Sequence, residues 1–190
     1  MEKGKLIIIS GPSGVGKNGI IERFINNQEL NLAQVISMTS RERRESERDG
    51  IHYDFVTREY FEKAISDNKL LEYTEFLGNY YGTPIDSVER LRSLGKNVLL
   101  EVEATGAKQI RKIFPNSVSV FIVPSSLAEL EKQIRERRKE EEDVVAERLN
   151  KARSELNLIS DYKFVVNNDD PELAAELCSL IIKRYIDKAD

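Results

Sequence analysis

The hydrophobic positions of this chain form short continuous runs, separated by longer stretches in which apolar residues recur at helical spacing. Five runs favour strands: Leu6–Ile9, Val35–Ile36, Val98–Leu100, Val118–Val123 and Phe164–Val166. The first run, four large apolar residues in a row, is typical of a strand buried on both faces of a parallel sheet. Because helical patterns fall between most of the runs, the sequence predicts an α/β fold with a mainly parallel five-stranded sheet.

Several helix ends are marked by capping residues. Ser126 and Glu129 have the spacing of a capping box, and Asp170-Pro171 places an N-cap and a helix-starting proline before an apolar stripe. Gly95 can close the helix that precedes it. These signals predict helices that begin near residues 127 and 171, and one that ends near residue 94.

The first strand runs directly into Gly11-Pro12-Ser13-Gly14-Val15-Gly16-Lys17, which has the pattern G-x-x-x-x-G-K. A strand, a glycine-rich turn and a helix are the context of a phosphate-binding loop, since backbone N–H groups and the helix N-terminus can face an anion. Lys17 would reach the outer phosphates of a nucleotide, whereas the alternative is a glycine turn without a ligand. The residue after this lysine is normally Ser or Thr, whose hydroxyl helps to hold Mg²⁺, but Asn18 and Gly19 supply no hydroxyl.

The composition favours a globular domain and argues against several kinds of partner. Of the 190 residues, 33% are charged and 40% apolar, and the net charge of −4 argues against binding to nucleic acid or an anionic membrane. No apolar stretch approaches the ~18 residues of a membrane span, and the first strand leaves no room for a signal peptide. The single cysteine, Cys178, gives no disulfide and shares an apolar stripe with Leu173, Leu177 and Ile181, so we expect a core residue. The expected location is the cytoplasm.

Two stretches interrupt the alternation of strands and helices. Residues 37–87 are polar and aromatic, and residues 126–156 carry a dense run of charge that predicts a solvated helix pair joined by a mobile loop. A phosphate-binding core with two such insertions can close over two nucleotides and expel water before phosphoryl transfer. We therefore expect one domain, 1–190, with a core of 1–36, 88–125 and 157–190, an insert at 37–87 and a lid at 126–156.

The insert contains groups suited to a second phosphate and a purine. Arg41 and Arg44 are three residues apart and can converge on one phosphate with their planar guanidinium groups. Tyrosines and small hydroxyls can add neutral hydrogen bonds. A buried carboxylate could accept from N1–H and the exocyclic amine of guanine, a donor pair that adenine does not offer. Taken alone, the segment from Ser37 to Tyr53 favours an exposed loop of mixed charge.

Taken together with the phosphate-binding loop, this segment identifies a wider resemblance. The chain resembles the guanylate kinase family over essentially its whole length. The resemblance rests on G-P-S-G-V-G-K at 11–17, S-x-x-x-R-x-x-R-x-x-E-x-x-G-x-x-Y from Ser37 to Tyr53, and G-N-Y-Y-G-T-P at 78–84. It implies a P-loop NTPase three-layer core with an inserted mixed α+β GMP-binding lobe and a helical lid. It also implies that the γ-phosphoryl of ATP moves, with Mg²⁺, onto GMP or dGMP.

The resemblance assigns roles to residues at matching positions. The GMP-binding set would be Ser37, Arg41, Arg44, Glu47, Tyr53, Glu72, Tyr81, Thr83 and Glu103, of which Glu72 and Thr83 would read guanine. The ATP-binding set would be Gly11, Pro12, Ser13, Gly14, Val15, Gly16, Lys17, Asn18, Gly19, Arg137 and Asn168. The catalytic set would be Lys17, Arg41, Glu101, Arg137 and Arg148. No residue is expected to ligate Mg²⁺ directly, although Asn18 or Glu101 would contact it through water.

Departures from the family pattern leave alternatives open. The hydroxyl is missing at Asn18-Gly19, and Gln133 stands where the lid usually carries an arginine. Because one preorganised contact is worth about 10²–10³ in rate, we expect a working but slow kinase. The rivals are a guanylate-kinase-like binding module that has lost catalysis, opposed by the retained cationic residues, and a kinase for another base, opposed by Glu72 with Thr83. The partners would be the two nucleotides; the sequence does not fix the oligomeric state, and a homodimer is compatible with it.

Overall fold

The computed structural model describes residues 2–137 and 141–188, with Arg137 in its backbone only. The strands of this part are β1 (Leu6–Ser10), β2 (Leu32–Gln34), β3 (Met38–Thr39), β4 (Asp54–Phe55), β5 (Leu70–Phe76), β6 (Asn79–Pro84), β7 (Asn97–Glu101), β8 (Val118–Val123) and β9 (Phe164–Asn167). Its α-helices are α1 (Lys17–Phe24), α2 (Arg58–Ser66), α3 (Ile85–Ser93), α4 (Ala104–Ile113), α5 (Leu127–Arg137), α6 (Glu142–Leu156) and α7 (Pro171–Ile186).

The central sheet has five parallel strands in the order β2-β7-β1-β8-β9. Side chains of β1 alternate between two cores: Ile7 and Ile9 pack with residues of α1 and α7, whereas Leu6 and Ile8 pack with residues of α3 and α4. Each face of the sheet is therefore covered by helices, which is why the first apolar run is continuous rather than alternating. The predicted three-layer α/β fold is confirmed.

The second predicted strand is displaced along the chain. The sequence places it at Val35–Ile36, but β2 comprises Leu32–Gln34 and pairs with the start of β7. The Asn97 side chain donates to the carbonyl of Leu30 at 2.9 Å, which fixes the chain just before the strand. Since β2 lies at the edge of the sheet and is only partly buried, it carries little of the hydrophobic signal on which the prediction depended.

Helix α7 buries only part of the predicted stripe: Cys178 is buried and Ile181 packs against the core, whereas Leu173 and Leu177 do not. Its buried residues are Ala174, Ala175, Cys178 and Ile182. Cys178 is thus confirmed as a core residue, and burial raises its pKa to about 12. Leu173 and Leu177 are 53% and 40% exposed, so their place in the predicted stripe is wrong. Small side chains let α7 pack closely against α1, and the leucines are left at the border of that contact.

A second sheet, of mixed direction, lies between residues 38 and 84 in the order β4-β3-β6-β5. Helix α2 covers it with Phe61, which is fully buried and stacks on the ring of Tyr80 at 5.2 Å. Helices α5 and α6 precede β9 along the chain and contact each other. No helix in the described ranges combines the length and hydrophobicity that a bilayer crossing needs.

The predicted helix ends are confirmed. Ser126 Oγ accepts from Glu129 N at 3.0 Å before α5, and Asp170 Oδ1 accepts from Glu172 N at 2.9 Å at the start of α7. Gly95 follows α3 with φ +75°, a left-handed conformation that suits glycine after a helix.

Candidate nucleotide-binding site

The candidate site lies at the carboxyl ends of the parallel strands, where crevices of α/β sheets bind ligands. The residues after β1 form the glycine-rich loop, Glu101 ends β7, and Asn168 follows β9. Because these strands belong to one parallel sheet, the fold brings together three segments that are far apart in the sequence.

The glycine-rich loop has a backbone that side chains would strain. Gly14 and Gly16 have φ values of +92° and +91°, which residues with a Cβ rarely adopt. Val15 N donates to Pro12 O at 3.2 Å, and α1 begins at Lys17, so its positive N-terminal end is at the loop. A Cβ on Gly14 would also come within 2.8 Å of Ile134 in α5. The loop is therefore shaped by its backbone and packed under the helix pair.

Lys17 and two residues from distant segments contact this loop. The Lys17 ammonium donates to Gly11 O at 2.7 Å and to Pro12 O at 3.2 Å. Arg148 in α6 donates to Ser13 Oγ at 2.9 Å, and Asn168 donates to Val15 O at 2.7 Å. Three of the residues predicted from the sequence thus converge on the loop. The side chain of Arg137, predicted to join them, lies outside the described residues.

Glu101 is paired with the residue that replaces the usual hydroxyl. The amide nitrogen of Asn18 donates to Glu101 Oε1 at 2.6 Å and to Oε2 at 2.8 Å. Burial raises the pKa of Glu101, and the nearby Lys17 ammonium opposes this shift. Both residues are candidates from the sequence for contact with Mg²⁺ through water. Their direct contact joins positions that are far apart along the chain, and it has no signal in the sequence.

The second sheet and the loop after β3 hold a cation, Arg41, in a fixed position. Arg41 pairs with Glu47 through both carboxylate oxygens, at 2.7 and 3.0 Å. The hydrogen bond from Arg41, assisted by the Arg44 backbone N–H, lowers the pKa of Glu47 to about 2. The rings of Tyr53 and Tyr81 pack edge to face, with their centres 6.0 Å apart. Burial raises the pKa of Tyr53 to about 12. Arg41, Glu47 and the two tyrosines are therefore held together as one group.

Two residues that were predicted to join this group, Arg44 and Ser37, contact it or its strands through backbone atoms. The Arg44 side chain is exposed, and its backbone N–H rather than its guanidinium contacts Glu47. Ser37 precedes β3, and its carbonyl accepts from Asp54 N at 2.9 Å. Neither side chain is part of the Arg41–Glu47 pair.

A buried carboxylate and hydroxyl lie on facing strands of the same sheet. Glu72 on β5 is paired in register with Thr83 on β6, and Thr83 Oγ1 donates to Glu72 Oε1 at 2.6 Å. The two side chains are buried. Burial, with a smaller contribution from the charge of Glu103, raises the pKa of Glu72 to about 7. The pair can accept hydrogen bonds from an N–H edge that enters the pocket.

Glu103 links the second sheet to the helix pair. Its Oε2 accepts from Thr74 Oγ1 at 3.3 Å and from the Lys151 ammonium of α6 at 2.6 Å. The same ammonium lies 3.8 Å from the centre of the Phe76 ring on β5. Sequence reasoning missed Lys151, although it lies three residues after Arg148 and therefore on the same side of α6.

This strand–loop–helix with a lysine at the end of the loop, set on a parallel sheet, defines a P-loop kinase fold. The guanylate kinase family model matches residues 3–185. A guanylate kinase of Bacillus anthracis is 46% identical over 180 residues, which cover 95% of this chain and 88% of the relative. One of Malacoplasma penetrans is 43% identical over 190 residues, 98% and 97% of the two chains.

A solved structure gives the same result. The crystal structure of guanylate kinase from Anaplasma phagocytophilum superposes with a TM-score of 0.80 at 29% identity, over 99% of this chain and 89% of that one. The chain belongs to the guanylate kinase family, a family of ATP-dependent nucleoside monophosphate kinases. The resemblance noted in the motifs is confirmed.

Proposed function

We propose that this chain binds ATP at the glycine-rich loop and GMP or dGMP at the second sheet, and transfers the γ-phosphoryl group between them. The observation that carries the choice of acceptor is the buried Glu72–Thr83 pair. A carboxylate in this position matches the N1–H and exocyclic amine of guanine, two adjacent donors that adenine lacks. Neighbouring Arg41 and Tyr81 offer donors to a phosphate on the same nucleotide.

The proposed division of the chain follows from these two pockets. The core would comprise 1–36, 88–125 and 157–190, the acceptor lobe 37–87 and the lid 126–156. Support comes from the second sheet, which falls inside the proposed lobe, and from α5 and α6, which fall inside the proposed lid. Contacts of Arg148 and Lys151 with the other segments make closure of the lid over both nucleotides the expected motion.

On the donor side, the backbone amides of the loop and the N-terminus of α1 would hold the ATP phosphates. Lys17, released from the carbonyls of Gly11 and Pro12, would reach the outer phosphates. Arg148 would turn from Ser13 to the transferring group, and Asn168 would contact the adenine end. Lys17 and Arg148 would each give up hydrogen bonds to neutral oxygens of the protein and donate to a phosphate instead. The new hydrogen bonds are stronger because donor and acceptor are both charged.

On the acceptor side, Arg41 would bind the GMP phosphate while Glu47 keeps its guanidinium oriented. Tyr53 and Tyr81, whose rings pack against each other, would add hydroxyl donors. Arg44 and Ser37 lie three residues after and four residues before Arg41, and their side chains would contact the same phosphate from the exposed side. Glu103, held by Lys151, would lie near the base.

The residues beside the loop fit a magnesium ion brought by ATP. With the Asn18 amide nitrogen bound to Glu101, the amide oxygen is turned away from that carboxylate and can face the ion or one of its waters. Carboxylate and amide oxygens suit Mg²⁺, which usually keeps several waters and binds few protein groups besides phosphates. When bound, Mg²⁺ would neutralise charge on the β- and γ-phosphates.

The proposed reaction is a direct displacement. A phosphate oxygen of GMP attacks the γ-phosphorus in line, the bond from that phosphorus to the bridging oxygen of ADP breaks, and no covalent enzyme intermediate forms. The protein supplies position and positive charge: Lys17, Arg41 and Arg148 come from three segments and hold two polyanions together. The three relatives named above, all guanylate kinases by name, favour this catalytic role over a binding module.

The test of the proposed function is an assay of ADP release from ATP·Mg²⁺ with GMP, dGMP, AMP or UMP as the acceptor. We expect turnover with the two guanine nucleotides and background rates with AMP and UMP. Equal turnover with AMP would overturn the assignment of Glu72 and Thr83, whereas negligible ATP·Mg²⁺ binding in calorimetry, without turnover of any acceptor, would favour the binding module. A cytoplasmic location, a homodimer and the exclusion of nucleic acid stay predictions from the sequence.

A further inference from the structure

Gly106 lies near the start of α4, in a position where glycine has a cost and no conformational reason. It is buried within the helix and does not have a positive φ. Glycine inside a helix is destabilising relative to alanine, since it loses more backbone entropy on folding. A buried helical glycine with ordinary backbone angles therefore points to a need for space.

The space beside Gly106 is filled by the carboxylate of Glu72. A Cβ at this position would lie 2.3 Å from Glu72 Oε2, 3.0 Å from Cδ and 3.4 Å from Cγ. Real Cβ atoms essentially never approach a heavy atom so closely, so any side chain at 106 would require a shift. The three nearest atoms all belong to one side chain, the one proposed to read the base.

Helix α4 cannot relieve this contact by moving away from β5. The Gln109 amide donates to Tyr73 O at 2.8 Å, and its oxygen accepts from Tyr73 N at 3.2 Å. One turn of the helix is thus bound to both backbone groups of the residue that follows Glu72. Ala104 and Ala107 of the same helix are buried in the core against the central sheet. The distance between α4 and β5 is set on both sides of Gly106.

The Glu72 carboxylate is consequently the group that would move. Its Oε1 accepts from Thr83 at 2.6 Å and keeps a second lone pair, and Oε2 is the oxygen nearest Gly106, so both oxygens can accept from a base only while the carboxylate holds this position. A shift away from the helix would break the Thr83 bond or rotate Oε2 out of the plane of the incoming purine. The end of a side chain is easier to displace than backbone, so the protein would stay folded while the acceptor pocket changed.

We infer that Gly106 is a specificity-determining residue: by lacking a Cβ, it fixes the position from which Glu72 reads guanine. It does so as a positioning residue, through Glu72, and the inference rests on the proposed role of Glu72. It predicts a separation of effects, since helix propensity favours alanine at 106 while guanine recognition requires glycine.

The first experiment compares Gly106→Ala with Thr105→Ala, a control in the same turn of α4 at an exposed position. We expect Gly106→Ala to lower kcat/KM for GMP about 10- to 100-fold, the effect of displacing one buried hydrogen-bonding group. The KM for ATP and the thermal midpoint should stay near the wild-type values, as should all parameters of Thr105→Ala. A loss of less than about threefold in kcat/KM for GMP would overturn the inference.

The second experiment repeats Gly106→Ala in a protein whose residue 72 has a shorter side chain. Glu72→Asp shortens the carboxylate side chain by one methylene, so in that background Gly106→Ala should cost less than about threefold in kcat/KM for GMP. An equal cost in both backgrounds would mean that the effect does not pass through Glu72 and would overturn the inference. If Gly106→Ala alone fails to fold, the double variant should fold with the midpoint of Glu72→Asp; its failure would also contradict the inference.

The failure of the proposed function gives a different result. If Glu72→Gln keeps the wild-type kcat/KM for GMP and the wild-type preference over AMP, Glu72 does not read guanine, and the premise is wrong irrespective of Gly106. If Glu72→Gln loses that preference and Gly106→Ala does not, the proposed role of Glu72 stands and the inference on Gly106 is wrong.

Discussion

The two pockets proposed for this protein are built from different kinds of group. The donor pocket is shaped by backbone: glycines with positive φ, the N-terminus of α1 and one lysine. The acceptor pocket is shaped by side chains that hold one another, Arg41 by Glu47 and Glu72 by Thr83. The difference matters because phosphates are alike in all nucleotides, whereas a base must be distinguished from others.

This contrast implies that the two pockets respond differently to change. Backbone groups do not titrate and are not removed by substitution, so the donor pocket should keep its affinity through most side-chain changes. The acceptor pocket depends on the charge of each partner, and one carboxylate there, Glu72, has a pKa of about 7. Acceptor binding should therefore be sensitive to single substitutions and to pH.

The largest effect is expected for Arg41→Ala. The substitution removes a cation from the acceptor phosphate and also leaves Glu47 unpaired, so that an anion faces an anion. We expect kcat/KM for GMP to fall by about 10³ or more, measured in the ADP-release assay, with the KM for ATP little changed. Arg41→Ala/Glu47→Ala should recover part of the loss; a double variant as poor as the single one would contradict the repulsion.

Lys17→Ala should have the next largest effect, and on the donor side. Its ammonium is one preorganised charge at the transferring phosphates, so kcat should fall about 10²–10³. ATP binding, measured by calorimetry, should weaken much less, because the backbone cradle remains. Complete loss of ATP binding would show that the donor pocket also depends on a side chain and would remove the contrast.

The pH dependence of GMP binding should be about tenfold. Burial raises the pKa of Glu72 to about 7, and guanine requires the ionised form. The carboxylate is therefore mostly ionised at pH 8 and mostly protonated at pH 6, so the KM for GMP should rise about tenfold as the pH falls between these values. The second ionisation of the GMP phosphate, near pH 6, adds a dependence of its own.

Glu72→Gln separates the two titrations, because glutamine cannot ionise. The ratio of the Glu72→Gln KM to the wild-type KM should fall about tenfold from pH 8 to pH 6. A ratio that stays constant over this range would contradict the raised pKa as the cause.

The smallest effect is expected for Gly19→Thr, which supplies the hydroxyl missing beside Lys17. A Cβ at Gly19 meets only Arg23 Nη1, at 3.5 Å, so the side chain has room. We expect kcat to rise only about two- to tenfold, the value of one ordinary hydrogen bond, because the Asn18 amide oxygen is proposed to supply part of the missing contact. Gly19→Ala is the matched control without the hydroxyl, and an equal change in both variants would mean that the hydroxyl adds nothing.

Much of this molecule could be predicted from its sequence, for identifiable reasons. The glycine-rich loop and four of the five core strands are local patterns, since glycine spacing and continuous apolar runs lie in consecutive residues. The position of the edge strand β2 was wrong because that strand is half-exposed. Leu173 and Leu177 were wrongly placed in the buried face of α7, because Ala174 and Ala175 lie in its contact with the core instead.

Contacts between distant positions could not be predicted. The Asn18–Glu101 pair, the Lys151–Glu103 bridge and the approach of Gly106 to Glu72 each join separate elements. Their residue types carry no signal by themselves: a glycine in a helix indicates only a weak helix former, and a lysine on α6 is one charge among many. Only the fold, which places α1 beside the end of β7, Lys151 of α6 beside Glu103, and α4 against β5, makes them functional candidates.

The most direct test of the two-pocket account is a crystal structure with ADP and GMP bound together. The account predicts the diphosphate in the loop at 11–17, the GMP phosphate on Arg41 and Tyr81, and the guanine N1–H and amine facing the Glu72 carboxylate beside Gly106. A guanine that lies elsewhere, or a Glu72 side chain turned away from the base while GMP is fully bound, would contradict it.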